Sequence, residues 1–159
     1  MKITIIAVGK IKEKFYRDAI DEYSKRLSKY CKLEIKEVAD EKTPDHASDT
    51  VNAQILAKEG ERIKNLIPKD SHVVVLAIEG KKYDSVSFAD MINQAGIHGI
   101  SNISFIIGGS LGIADDIKKS ANAGISFSDM TFPHQLMRVI LLEQIYRGYK
   151  IISKEPYHK

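Results

Sequence analysis

Cysteine occurs once in this chain, at Cys31, so no internal disulfide can form and the sequence fits a reducing compartment. Between Tyr30 and Leu33 that thiol reads as a small apolar filler. No stretch approaches the roughly 20 apolar residues a membrane helix requires. The apolar run within Met1–Gly9 is too short for a signal peptide and has no small-residue cleavage site. Linkers, internal repeats and low-complexity segments are lacking, and 159 residues then predict one domain, 1–159. No Gly-Lys-Ser/Thr follows a glycine loop and no Gly-x-Ser-x-Gly elbow occurs, which removes P-loop and nucleophile-elbow chemistry. His, Cys, Asp and Glu nowhere take convincing metal-ligand spacing, so no metal is expected.

Net charge, +3, is small but unevenly spread. Residues 1–36 hold ten Lys and Arg against five Asp and Glu; residues 133–159 hold five against two; the middle carries −5. Basic ends that meet in a fold give a surface a polyanion can read, although lysines on a first helix also serve as its solvated face.

Hydrophobic periodicity predicts alternating elements. Strands are expected at Lys2–Val8, Lys32–Ala39, His72–Ile78, Asn102–Ile107 and Gly124–Ser128. Lys12–Tyr30 places Phe15, Ala19, Tyr23, Leu27 and Tyr30 on one helical stripe. A second helix runs from a Ser48 or Asp49 cap to Leu66, and a third from about Ser87 to Gly96–Gly99. A short one spans Ala114–Ala121, and Pro133 opens a long final helix. The class is therefore α/β, a mostly parallel sheet with helices on both faces.

Two segments carry candidate chemistry. Gly108-Gly109-Ser110-Leu111-Gly112 follows a buried strand and opens a helix, where free N–H groups favour an anion or a polar ligand edge. Asp129, about twenty residues on, completes a spacing resembling a dinucleotide fingerprint, so a nucleotide- or NAD-binding enzyme stays open. Glycines serving only chain reversal are the plainer alternative. The second segment is Ser128–His134 with the helix after it, in which Arg138 stands between Met137 and Val139 in a stretch that should be buried. A buried arginine needs an anionic or carbonyl partner. Glu143 and Arg147, four apart, fit a surface ion pair. Glu155-Pro156-Tyr157-His158-Lys159 offers a phenol, an imidazole and an ammonium.

The stretches Ala7-Val8-Gly9-Lys10-Ile11-Lys12-Glu13-Lys14, Phe105–Gly112, His134-Gln135-Leu136-Met137-Arg138, Glu143–Arg147 and Pro156-Tyr157-His158-Lys159 resemble the RlmH family from first residue to last. These are ribosomal large-subunit RNA methyltransferases of the SPOUT class. The resemblance implies a parallel-sheet α/β knot with a C-terminal trefoil, a rare departure from unknotted chains. It also implies S-adenosylmethionine as methyl donor, a homodimer with the active site across its interface, and a cytoplasmic enzyme. The implied reaction methylates N3 of a pseudouridine in a 23S rRNA stem-loop on the assembled ribosome. Leu76, Gly108, Phe127, Ser128, Asp129, Met130, Thr131 and Phe132 fall at cofactor-contacting positions. Ile-Ser-Phe-Ser stands where the family usually has Leu-Ser-Leu-Ser. Chemical need, beyond the resemblance, assigns His158 as base, Tyr157 to hold the target base, Arg138 to support the imide anion and His134 as the reserve base. A non-catalytic ribosome-binding module is the remaining alternative. Apolar Ile140, Leu141, Ile145 and Tyr146, on more than one helix face, add to the expectation of a dimer.

Overall fold

The computed structural model describes residues 1–159. Chain order is β1 (Lys2–Val8), α1 (Lys14–Leu27), β2 (Lys32–Val38), α2 (Asp49–Leu66), β3 (His72–Lys82), α3 (Ser85–Ile97), β4 (Asn102–Ile107), α4 (Asp115–Ser120), β5 (Ala123–Ser126) and α5 (His134–Ile152). All strand pairs are parallel, in the order β2-β1-β4-β3-β5. Parallel strands need crossovers, and the helices supplying them cover both faces, as expected.

Alternation along β1 divides the core. Ile3, Ile5 and Ala7 join Phe105, Val74 and Ile125 beneath α1, α3 and α5, while Ile6 and Val8 join Val75, Ile106, Ile63 and Ile117 beneath α2 and α4. Thr4 and Ser104 are buried in the same strands but satisfied, Thr4 Oγ1 donating to Asn102 at 3.3 Å and Ser104 Oγ meeting Ser71 Oγ at 2.5 Å. No helix is long and apolar enough to cross a membrane.

Several boundaries differ from expectation for identifiable reasons. The third helix starts earlier than Ser87, because Asp84 caps it: Ser87 N–H donates to Asp84 Oδ1 at 2.7 Å and Asp84 N–H to Ser87 Oγ at 3.1 Å. Pro133 is the cap residue before α5 rather than its first turn. The first helix is shorter at both ends, and Phe15, expected inward, is 65% exposed. Leu141 and Ile145 are fully buried within the protomer, so only the half-buried Ile140 and Tyr146 remain of the apolar set expected to cover a partner.

The largest departure is β3, which continues past Ile78 to Lys82. Leu76 and Lys81 both register against Ile125, so the residues between them leave the sheet and return. The return is tight: a Cβ on Gly80 would lie 2.6 Å from Ile125 C and 2.7 Å from Ile125 N. Backbone cannot step aside as a side chain can, so Gly80→Ala is expected to destabilise the fold by about 3 kcal/mol, the upper end for overpacking. Urea unfolding of the variant against Gly124→Ala, whose added Cβ meets nothing closer than 3.5 Å, measures the difference.

Candidate active site

At the carboxyl ends of β3, β4 and β5 lies a cavity of about 840 Å³, where open parallel sheets usually place a ligand. Three stretches wall it: the bulge Ala77–Glu79, the glycine loop 108–112, and residues 125–135 (all but Asp129) with Met137. Leu76, Gly108, Phe127, Ser128, Met130, Thr131 and Phe132, expected at cofactor positions, all line it. A second groove of about 880 Å³, beside Tyr30, Cys31 and Leu33, opens at the other end of the sheet.

The glycine loop serves chain reversal and concavity together. Gly112 has φ +85°, a left-handed conformation L side chains rarely adopt. A side chain at Gly108 would strike the Gly112 carbonyl, because the loop closes back with Gly112 N–H donating to Gly109 O at 3.0 Å. Beneath Gly109 stands Glu59, only 5% exposed, whose Oε2 accepts the Glu41 N–H at 2.9 Å. Burial raises the Glu59 pKa above the usual carboxylate value. The sequence did carry a signal for it, a lone acid on the stripe Ile55, Glu59, Ile63 of α2.

Beyond Ser126 the chain leaves the ladder. Ser126 Oγ donates to Ser128 O at 3.1 Å, and Ser128 Oγ accepts the Met130 N–H at 2.9 Å, which shapes the turn. Phe127 meets Phe88 edge-on at 5.9 Å. Asp129 faces the other way: its side chain is 75% exposed and pairs with Lys82 at 2.5 Å. The acidic side chain on which a dinucleotide-like site would depend is therefore outside the cavity.

His134 and Arg138 share one anchor, Gly9, whose φ is +95°. A Cβ on Gly9 would lie 2.7 Å from His134 Cε1, and Arg138 Nη2 donates to Gly9 O at 3.2 Å. Arg138 is 2% exposed and also pairs through Nη1 with Glu37 at 2.9 Å, so it has both a carbonyl and an anion, while its Nε is buried without a partner. Expected to face a substrate, it instead ties the start of α5 to the ends of β1 and β2. His134 borders the cavity, but its Nδ1 is buried without a partner. Burial, then Arg138, lower its pKa; Asp40 and Glu13 partly oppose them. The folded protein thus holds a neutral imidazole while the unfolded chain protonates near 6.5. Stability should be full above that value and decline as pH falls through it towards the lower folded pKa. Denaturant midpoints at pH 7.5 and 5.5 are expected to differ less in His134→Gln than in the wild type.

Tyr157 and His158 fold back on the far end of α5. Tyr157 Oη donates to Glu143 Oε1 at 3.1 Å, its ring packs edge-on against Tyr146 at 4.9 Å, and Arg147 lies over it at 4.7 Å. Burial first, then the Glu143 hydrogen bond, push its phenol up to about 12, so it remains a donor at neutral pH. His158 Nδ1 lies 3.4 Å from Arg147 Nη1. Arg138 and Arg147 stand nine residues apart, roughly 13.5 Å along a helix. Within one protomer, then, the tail is not part of the cavity that His134 borders. Glu143 is the hub of this second cluster, also holding Arg147 at 2.7 Å, so the expected ion pair forms and does more than decorate a surface.

Comparison with known proteins agrees with this geometry. The family model described as "Predicted SPOUT methyltransferase" matches residues 1–158. The ribosomal RNA large subunit methyltransferase H of Bifidobacterium adolescentis is 65% identical over 159 residues, covering all of both chains. The protein of the same name from Clostridium beijerinckii is 57% identical over the same full lengths. Among solved structures, a probable methylase family protein from Haemophilus influenzae Rd KW20 superposes with a TM-score of 0.53 at 10% identity. That match covers 99% of this chain and 70% of the other, and it bears on the fold alone.

Proposed function

The chain belongs to the SPOUT methyltransferase family and, within it, to the ribosomal RNA large subunit methyltransferase H group; from that membership we propose that it methylates 23S rRNA. The proposed reaction moves a methyl group from S-adenosylmethionine to N3 of a pseudouridine on the assembled ribosome, in the cytoplasm. The observation that carries it is the cavity at the strand ends, walled by seven of the eight residues expected to hold the donor.

Those walls fit S-adenosylmethionine. Leu76, Ile125 and Phe127 supply apolar surface for a flat base, the backbone after Ser126 has no ladder partners and can meet the base edge, and the concave glycine loop leaves room for ribose and the amino-acid end. Bound there, the donor supplies an electrophilic methyl on a sulfonium. The trefoil knot is part of this proposal, supported by the β3 segment that leaves the sheet and closes on Ile125 through Gly80.

The chain's own residues must align the acceptor and take the N3 proton. Because Tyr157 and His158 lie apart from their own cavity, the proposed site is composite: a homodimer in which the partner's tail reaches the cavity that His134 borders. There the partner's His158 is the proposed base, with the partner's Tyr157, protonated, holding the target base by stacking or donation. His134, kept neutral, is the second acceptor for the proton. Arg138 acts at one remove, fixing Gly9 and with it the imidazole.

The deciding experiment incubates the protein with methyl-labelled S-adenosylmethionine and either assembled ribosomes or free large subunits, then maps the label. Label at N3 of one pseudouridine is expected. No incorporation into either particle would overturn the proposal, and calorimetric binding of NAD but not S-adenosylmethionine would replace it with the dinucleotide alternative.

A further inference from the structure

The turn between β1 and α1 has a role that neither the donor cavity nor the tail accounts for. Val8 and Gly9 bring it to the cavity: the Val8 side chain approaches Gly109 of the glycine loop, and Gly9 lies under the His134 ring. The turn then projects Lys10 and Lys12, both exposed and neither in an ion pair, and α1 opens with Lys14, paired with Asp18 at 2.7 Å, followed by Phe15. Phe15 is 65% exposed, resting on Tyr16 at 4.4 Å between centroids. Arg17 does not fray outward; it donates to the Lys12 carbonyl at 2.6 Å and holds the turn in shape. An exposed aromatic ring that follows two unpaired cations, on a turn whose base touches two walls of the cavity, is an arrangement that single-stranded nucleic acid meets with a base stack and phosphate contacts.

We propose that Lys10, Lys12 and Phe15 form the surface that receives an unpaired RNA strand at the cavity mouth, Phe15 stacking on a base and the two lysines holding adjacent phosphates. This rests on the rRNA reading above and deepens it by naming where the strand lies. Charge favours RNA over a second copy of the chain as occupant. Burying Phe15 against another copy would desolvate two cations that have no partner in this chain, whereas a polyanion neutralises them on contact.

The test uses the full-length protein and assembled ribosomes, with binding followed by co-sedimentation over a salt series. Phe15→Ala is expected to weaken binding roughly 5- to 150-fold, the range for losing one base stack. Lys10→Ala/Lys12→Ala should reduce the slope of log affinity against log salt by about 1.4, two single-strand phosphate contacts. Lys58→Ala, an exposed lysine on α2, should change neither. Donor affinity and solution mass should match the wild type in all three. Wild-type ribosome affinity and methyl transfer in the Phe15 and lysine variants would overturn this surface while leaving the methyltransferase reading intact. Weaker binding accompanied by a fall in mass would assign Phe15 to contact between copies and overturn it too. Ribosome binding that depends on these residues, without any methyl transfer by the wild type, would instead sink the methyltransferase reading alone.

Discussion

Arg138→Ala is expected to destabilise the protein by about 2–3 kcal/mol and to reduce methyl transfer by about 100-fold, with the two losses appearing together. Breaking a fully buried ion pair ordinarily costs about 3–5 kcal/mol, but here the pair accounts for only part of a smaller loss, because Glu37 is 41% exposed and can be rehydrated. The rest of the loss comes from the Gly9 carbonyl, which keeps no guanidinium once Arg138 is gone. Gly9 supports the His134 ring, so its movement displaces the imidazole, and displacements on the order of 1 Å are enough for a hundredfold loss. Arg138→Lys separates the possible causes. An ammonium cannot span Glu37 and Gly9 as a planar fork does, so both stability and activity should fall part-way. Denaturant unfolding, donor calorimetry and the rate of methyl transfer measured on the same variant decide it. If Arg138→Lys keeps wild-type stability and donor affinity yet loses methyl transfer, the guanidinium contacts the substrate directly and the tie is incidental.

Much of this arrangement was legible in the sequence where the information is local. The Ile- and Val-rich strands, the Ser48 cap and the glycine loop each declare themselves within a few residues. What escaped depends on contacts between distant positions. The strand expected at His72–Ile78 runs on through Glu79-Gly80-Lys81-Lys82, because Gly80 permits the approach to Ile125, 45 positions away. Arg138 announced its need for a partner but not which, since Glu37 lies 101 residues earlier. Asp129 sat at a persuasive spacing, and Lys82 took its carboxylate out of the cavity. Phe15 followed the helical period of α1, but the helix begins only at Lys14, and in its first turn the ring stays in solvent. The tail was legible as chemistry and not as geometry. Tyr157 and His158 have suitable groups, while their position beside Glu143 and Arg147 puts them on a different part of the protomer from His134.

That separation yields the largest expected effect. Removing the tail must begin after Glu155, because Glu155 accepts from Tyr30 Oη and Lys150 Nζ, each at 2.7 Å, and so anchors the end of α5. A chain ending at Glu155 is expected to fold, to bind S-adenosylmethionine with near wild-type affinity, and to transfer no measurable methyl. If donor affinity falls as well, the tail closes the donor cavity instead of serving the acceptor. Mixed dimers then test whether the site is shared. One protomer lacks residues 156–159; the other keeps its tail but carries Gly108→Val, whose side chain has no room against the Gly112 carbonyl and spoils the donor cavity. Neither homodimer should be active. A composite site predicts that the mixture recovers activity, because one intact cavity can meet one intact tail across the interface. A site closed within each protomer predicts none, since no protomer then holds both parts. Random pairing makes about half of the dimers mixed, each with one working site, so about a quarter of the wild-type rate per protomer is the expected recovery. Silence in the mixture, with a dimeric mass and donor binding by the truncated protomer both intact, would refute the shared site.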